Sequence, residues 1–320
     1  MRVMRFKVLN TVALLAACLV ILVSFAQPGR SQSAPAPDAS LAAQSIPFGC
    51  AVQPEPHHGP AQSLPRPAQV PISRFRQVNA TSTATKTSTY SPKEVVALAD
   101  STNYGQRFIN DISGKLADHA PIIVLHETVG TASSAVNFFQ TPHPYDDDQV
   151  SYHTLIGLDG TVYYLVPPDK RAFGAGNSVF VGAAGEESVK TNPDFPSSVN
   201  NFAYHISLET PADGDNNNSN HSGYTNAQYQ SLAWLVAKTS VSEDRITYHK
   251  IVDRSGSRQD PRSFNAQSFL RLLNGYPKTS EIAIGCSMSL SVPGSTPASE
   301  PTLSPVDRLL RRLPPPRSRQ

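Results

Sequence analysis

The chain has 320 residues and a net charge of +2, from 27 basic and 25 acidic side chains. Its length would allow two domains, but polar segments rich in proline flank the middle of the chain, so we expect one substantial core. The middle carries no basic stripe with interleaved aromatic residues, which excludes the electrostatic pattern of a nucleic-acid partner.

Residues 1–26 have the pattern of an export signal, with a basic start and an apolar run that begins at Val8. The run is about as long as the shortest membrane-spanning helix, so an uncleaved anchor with membrane association is an alternative. A lipoprotein cleavage site at Cys18 is a third interpretation, although the apolar residues after it do not suit a mature lipoprotein. All three predict an extracytoplasmic protein, in the periplasm, in the cell wall or secreted.

Two polar segments flank the expected domain. Residues 27–90 are rich in Pro, Ser, Ala, Thr and Gln and have few apolar clusters, so they are predicted to be a disordered linker. Residues 278–320 form a similar Pro- and Ser-rich tail whose basic end could contact anionic wall polymer or lipid, or stay solvated. The domain itself is expected over 91–277.

Cys50 and Cys286 bracket this domain and would both remain after removal of the signal. In an oxidising compartment they could form a disulfide that ties the two extensions together. Two unrelated thiols remain the alternative, because geometry is not visible in a sequence.

Four helices are predicted, in chain order. The first begins at Ser91, where Glu94 completes a capping box. The second covers about 132–140. The third runs from Thr225 to about residue 239 behind another capping box, and the last follows Asn265.

Strands are predicted between these helices. An apolar run begins at Ile122, and the segments 151–156 and 161–167 flank an Asp159-Gly160 turn that predicts a hairpin. Further strands are expected over 205–209 and up to Tyr248. The alternation of strands and helices favours an α/β fold with a mixed central β-sheet flanked by helices.

Three side chains of metal-binding type follow predicted elements. His126 ends the apolar run, His249 follows the strand at Tyr248, and Asp260 precedes Pro261 in a loop. Two neutral nitrogen ligands and one carboxylate are the ligand set of an open catalytic zinc site, in which the fourth position is free for water.

In this order the motifs resemble those of zinc-dependent N-acetylmuramoyl-L-alanine amidases, the type 2 amidase family, which is related to peptidoglycan recognition proteins and phage amidases. The resemblance covers about residues 91–277. It implies Zn2+ as the cofactor, held by His126, His249 and Asp260. It also implies a peptidoglycan or muropeptide substrate, cut between N-acetylmuramic acid and the first L-alanine of the stem peptide.

The resemblance also implies roles for other residues. Glu209 matches the strand of the catalytic glutamate and is expected to transfer protons. Arg258 stands where the family commonly has a lysine that donates to the oxyanion, and Tyr152 is expected to be an auxiliary donor. His153 is expected to be structural. One departure is Gly174, in Ala172-Phe173-Gly174-Ala175-Gly176, where relatives often have the histidine of Ala-Trp-His-Ala-Gly.

Two other functions are compatible with parts of the pattern. A non-catalytic peptidoglycan-binding or recognition module would explain the same fold, but it would have no need for a complete ligand set. A different zinc hydrolase, such as a metalloprotease, is disfavoured because the chain contains no His-Glu-x-x-His sequence.

Overall fold

The structure is a computed structural model that describes residues 50–55, 59–77 and 90–285. Within these residues ten strands are formed: β1 (Glu94–Val96), β2 (Tyr104–Gln106), β3 (Ile122–Glu127), β4 (Thr154–Ile156), β5 (Val162–Tyr164), β6 (Lys170–Ala172), β7 (Phe180–Gly182), β8 (Gly185–Glu187), β9 (Ala203–Leu208) and β10 (Ile246–Tyr248). The α-helices are α1 (Ala132–Phe139), α2 (Asn226–Ala237), α3 (His249–Val252) and α4 (Ala266–Leu273). Short 3-10 turns lie at Ile72–Arg74, Ser101–Asn103, Asp146–Asp148, Ala212–Gly214 and Glu243–Arg245.

Six strands form one sheet in the order β1-β5-β4-β9-β3-β10. The pairs β4–β9, β9–β3 and β3–β10 are parallel, whereas β4 and β5 are antiparallel. Every residue of β3 and β9 is buried. Strands covered on both faces are expected to be nearly continuous apolar runs, which explains the sequence of β3.

Helices pack on both faces of this sheet. On one face, Leu125 and Ile206 contact a core that includes Leu232 and Leu235 of α2 and Phe269 of α4. The alternate residues of β3 and β9 point to the other face and join smaller clusters. The predicted mixed sheet flanked by helices is therefore confirmed.

Most of the predicted local elements are present. β4 and β5 pair as the predicted hairpin, in register Leu155↔Tyr163. In α2, Thr225 accepts from the backbone N–H of Gln228, and the Gln228 side chain accepts from the Thr225 backbone, which completes the predicted capping box. Asn265 caps α4 through the N–H of Ser268.

The helix predicted from Ser91 is wrong, because Glu94–Val96 form the strand β1, parallel to β5. Glu94 accepts hydrogen bonds from Arg76 and from the Tyr164 hydroxyl. Pairing with a sheet edge outweighs a local capping signal, and valines favour the extended conformation.

The flanks are more structured than the composition indicates. Phe75, inside the predicted disordered linker, is only 1% exposed and packs in the core. Arg74 forms a buried, bidentate ion pair with Asp169. Ile282, in the predicted tail, is also 1% exposed. The packed domain therefore extends beyond 91–277 on both sides, because these isolated apolar residues complete its core.

Three predictions concern residues outside those that the structure describes: the export signal over 1–26, the basic end of the tail, and Cys286. Cys50 is disulfide-bonded. Its partner lies outside the described residues, so pairing with Cys286 stays a prediction. In the described part of the chain, no helix has the length and apolar character needed to cross a membrane.

Candidate metal centre

His126, His249 and Asp260 converge at one edge of the sheet. The distance between His126 Nδ1 and His249 Nδ1 is 3.1 Å, and Asp260 Oδ2 lies 3.2 Å from the first and 3.1 Å from the second. Ligand atoms about 2.0–2.1 Å from a tetrahedral zinc ion would be roughly 3.3 Å apart. The donor types and their spacing therefore fit a zinc ion, and the three residues predicted as ligands are brought together.

The sheet topology places these side chains. β3 and β10 are parallel neighbours in register Leu125↔Tyr248, so the next residue of each, His126 and His249, lies at the same edge. Asp260 is brought there by the loop after α3, where its carbonyl accepts from the backbone N–H of Lys250 at 3.0 Å. Two strand ends and one anchored loop thus build the group.

Burial sets the charge state of the group. Burial, together with a smaller effect of the adjacent His249, lowers the pKa of His126 to about 4. For Asp260, burial would raise the pKa, but hydrogen bonds from His126 and His249 outweigh that effect and lower it. Near neutral pH His126 is consequently a neutral imidazole and Asp260 a carboxylate, the forms that bind metal.

A cleft of about 930 Å³ opens beside this group. Its wall includes Tyr152 and Arg258 next to the ligands, and Phe108 and Phe173 further away. The Arg171 guanidinium lies between these two phenylalanine rings, 5.2 and 5.1 Å from their centroids. The cleft therefore combines hydrogen-bond donors near the metal group with an aromatic and cationic wall.

Tyr152 is the predicted donor closest to the metal group. Its ring stacks on His126, with centroids 4.5 Å apart and an interplanar angle of 29°. Burial raises the pKa of its hydroxyl, so Tyr152 stays protonated at neutral pH and can donate. Arg258 lines the same cleft and lowers that pKa slightly through its charge. The structure thus places both predicted donors beside the triad formed by His126, His249 and Asp260.

Glu209 is not brought to the triad, in contrast to the prediction. Its Oε1 accepts from the backbone N–H of Ala132, at the start of α1, and its Oε2 accepts from that of Leu158. It does not line the cleft beside the ligands. Both carboxylate oxygens are engaged by backbone amides, so Glu209 here joins α1 to the β4–β5 turn.

Two features of the site were missed by sequence analysis. His205 Nδ1 lies 2.9 Å from His126 Nε2, the ring nitrogen that points away from the triad. The register His126↔Ser207 places His205 on the same face of the sheet, two residues earlier. Strand alternation alone places His205 on one face with Ser207, but only the pairing of β9 with β3 shows that this face meets His126.

The second missed feature is a buried cluster around Glu127, which follows His126 directly. The carboxylate accepts from the side-chain and backbone N–H of Arg262, from His221 Nε2 and from the Tyr224 hydroxyl. The Arg262 guanidinium also donates to carbonyls of the 214–218 loop. This cluster joins the strand that carries His126 to the segment that carries Asp260.

His153 has the structural role that was predicted. It is fully buried, and its Nδ1 accepts from the backbone N–H of His205 at 3.0 Å. Its Nε2 lies 3.1 Å from the Lys170 carbonyl. Both nitrogens are thus used within the fold.

Comparison with known proteins gives matches among sequence families and solved structures. No curated protein is significantly similar in sequence. An AmpD selenomethionine derivative is 22% identical, covering 59% of this chain and 98% of its own, with a TM-score of 0.40. The amidase LysC from Clostridium intestinale is 21% identical over 57% and 99% of the two chains, with a TM-score of 0.34. Citrobacter freundii AmpD is 24% identical over 57% and 90%, also with a TM-score of 0.34.

The family comparison is specific to the part of the chain that builds the site. The model of the family described as N-acetylmuramoyl-L-alanine amidase matches residues 117–263. This range contains all three members of the metal-binding group as well as Tyr152 and Arg258. Residues 117–263 therefore form a domain of the N-acetylmuramoyl-L-alanine amidase family.

Proposed function

We propose that this protein is a zinc-dependent peptidoglycan amidase that hydrolyses the bond between N-acetylmuramic acid and the L-alanine of the stem peptide. The observation that carries the proposal is the convergence of His126, His249 and Asp260 at an open cleft within the family-matched residues. Zinc bound there would supply activated water at neutral pH and polarise the scissile carbonyl.

The residues of the cleft account for the remaining requirements of amide hydrolysis. The carbonyl oxygen gains negative charge as water adds, and Tyr152 and Arg258 are hydrogen-bond donors that line the cleft together with His249 and Asp260. A hydrogen bond from the Tyr152 hydroxyl and the charge of Arg258 would stabilise that oxygen. The arginine also attracts the substrate carbonyl before reaction.

The leaving amine needs a proton. Glu209 does not line the cleft, so we look for the proton on another side chain. Tyr152 is protonated and lies against His126, so we assign the donation to its hydroxyl. Tyr152 would recover the proton from the attacking water. The oxygen and the other hydrogen of that water are then in the new carboxyl group, and the products are a lactyl acid and a free L-alanine amine.

The N-terminus supports a proposal about location. The basic start and apolar run of residues 1–26 have the pattern of an export signal or anchor. We therefore propose that the enzyme acts outside the cytoplasm, where intact wall is the available peptidoglycan. Released muropeptide would be the substrate if the enzyme were retained inside.

The decisive experiment is digestion of purified sacculi and of soluble muropeptides, with mass spectrometry of the products. We expect new L-alanine amino termini from the zinc-loaded protein and none from His126→Ala. A chelator should stop the reaction, and added zinc should restore it. If the zinc-loaded wild type binds sacculi but releases no new termini, the protein is a peptidoglycan-binding module and the amidase proposal is wrong.

A further inference from the structure

The His205 ring lies where a side chain on Gly174 would begin, beside the metal centre. A Cβ atom built on Gly174 would lie 2.5 Å from His205 Nδ1 and 2.6 Å from its Cγ. Gly174 does not have a positive φ, so its backbone does not require glycine. What it provides is space, and the His205 imidazole occupies that space.

Among the described residues, the His205 ring has one hydrogen-bond partner. It is fully buried in β9, and its Nδ1 lies 2.9 Å from His126 Nε2. The other ring nitrogen of His126, Nδ1, belongs to the metal-binding triad. His205 therefore meets His126 at the ring nitrogen that is not part of the triad.

A neutral imidazole has one N–H proton, so the nitrogen that carries it in His126 determines whether His205 Nδ1 accepts or donates. If His126 offers the Nδ1 lone pair to a metal, its proton must be on Nε2. That N–H then needs an acceptor, and His205 Nδ1 is the atom within hydrogen-bond distance. The opposite arrangement, in which His205 Nδ1 donates, would place the His126 proton on Nδ1 and block metal binding.

We propose that His205 is a positioning residue that accepts the Nε2 proton of His126, and that Gly174 is required because it leaves room for this acceptor. The inference rests on the proposed function, since it assumes a metal at the triad. Hydrogen bonds of this kind fix the tautomer and the orientation of metal-bound histidines.

The other nitrogen of His205 shows that a histidine at this position has a cost. With Nδ1 as acceptor, Nε2 carries the proton, and Nε2 has no hydrogen-bond partner among the described residues. A buried N–H without a partner is unfavourable. A leucine would fill a similar volume without that cost, so packing alone does not explain a histidine here.

The tautomers can be measured directly in the zinc-loaded wild type by NMR of 15N-labelled histidine. We expect the His126 proton on Nε2, the His205 proton on its own Nε2, and a scalar coupling across the hydrogen bond from His126 Nε2 to His205 Nδ1. A His205 proton on Nδ1, or the absence of that coupling, would overturn the proposal. This readout needs bound zinc but no hydrolysis, so its failure is distinguishable from failure of the proposed activity.

Metal affinity gives the second test, by competition of zinc with a chromophoric chelator. His205→Leu should weaken zinc binding by about 10–100-fold, the usual effect of losing such a partner. His205→Asn should retain most of the affinity, because its Oδ1 can take the place of Nδ1. The matched control is Ser207→Ala, which removes another buried polar atom without a partner from β9. Equal affinities of the leucine variant and the wild type would refute the role.

Substitution of the glycine tests the space requirement. Gly174→Ala should weaken zinc binding as His205→Leu does, whereas Gly176→Ala should not, because nothing lies within 4 Å of a Cβ there. In a His205→Ala background the added methyl should cause no further loss. Wild-type affinity in Gly174→Ala, or fully additive losses in the double variant, would contradict the proposal. Absence of zinc binding and hydrolysis in the wild type would instead reject the proposed function.

Discussion

The Tyr152 ring lies against the His126 ring at a centroid distance of 4.5 Å. The contact holds a protonated phenol in the wall of the cleft, against a residue that would bind metal. The same phenyl ring also meets Phe139 of α1 edge-on, with centroids 5.4 Å apart. A side chain fixed on two sides in this way is suited to donate a hydrogen bond without reorganisation.

Replacement of Tyr152 by phenylalanine should therefore reduce turnover and leave the metal in place. The ring contacts survive, but the hydroxyl assigned to oxyanion stabilisation and to protonation of the leaving amine is lost, so we expect kcat to fall by at least about 10²–10³-fold. Zinc content should stay at one equivalent. Tyr145→Phe is the control, because that side chain is 62% exposed. Wild-type turnover of the Tyr152 variant would remove Tyr152 from the mechanism.

Alanine at any member of the triad should remove zinc and activity together. Each residue supplies one of three ligand atoms that lie 3.1–3.2 Å apart, and two ligands do not hold the ion. Elemental analysis of purified variants checks this. His119→Ala is the matched control, since His119 faces Glu187 and lies outside the group. A full equivalent of zinc in His126→Ala would reject the ligand assignment.

Glu209→Gln should affect stability more than turnover. The carboxylate accepts two backbone N–H groups, and a glutamine must turn its own NH2 towards one of them. We expect a loss of about 1–2 kcal/mol in the free energy of unfolding, measured by urea denaturation, with kcat unchanged. If stability is unchanged but kcat falls by about 10²–10⁴-fold, Glu209 is a general acid or base after all.

Removal of the Arg262 side chain should destabilise the protein strongly. In Arg262→Met the buried carboxylate of Glu127 loses its ion pair, and such a loss typically costs about 3–5 kcal/mol. The double variant Glu127→Gln, Arg262→Met should be more stable than the single one. Lys278→Met is the control, because its pair with Glu243 is exposed. If Arg262→Met unfolds at the same urea concentration as Lys278→Met, the cluster around Glu127 does not stabilise the fold.

The metal ligands could be predicted because the sequence marks where strands end. His126 and His249 directly follow apolar runs, and parallel pairing of β3 and β10 brings such positions together. The helix capping residues Thr225 and Asn265 were also predictable, since their signals are local.

What sequence analysis could not show depends on contacts between distant segments. Glu94 follows a local capping pattern, yet its segment pairs with β5. Glu209 ends the expected strand, but only the fold shows that amides 77 and 51 residues away engage its carboxylate. His205 was read as part of a strand, because its connection to His126 depends on the register of β9 against β3.

The buried histidines predict how stability depends on pH. Burial lowers the pKa of His126 to about 4, and lowers those of His153 and His205 well below their usual value. In the unfolded chain these residues bind protons below about pH 6.5, and in the folded protein they do not. Unfolding then takes up protons. The free energy of unfolding is therefore not reduced by these histidines above about pH 6.5, and it falls as the pH drops towards 4.

Urea denaturation of the chelator-treated protein between pH 5 and 7.5 measures this dependence. Each histidine that stays neutral should contribute up to about 1.4 kcal/mol per pH unit to the decline in unfolding free energy below pH 6.5. His126→Asn should lower this slope by the contribution of nearly one proton, about 1.4 kcal/mol per pH unit, because it removes one of the three buried histidines. A flat profile between pH 5 and 6.5 would show that the buried imidazoles are already protonated in the folded protein, and it would contradict their assignment as neutral ligands and partners.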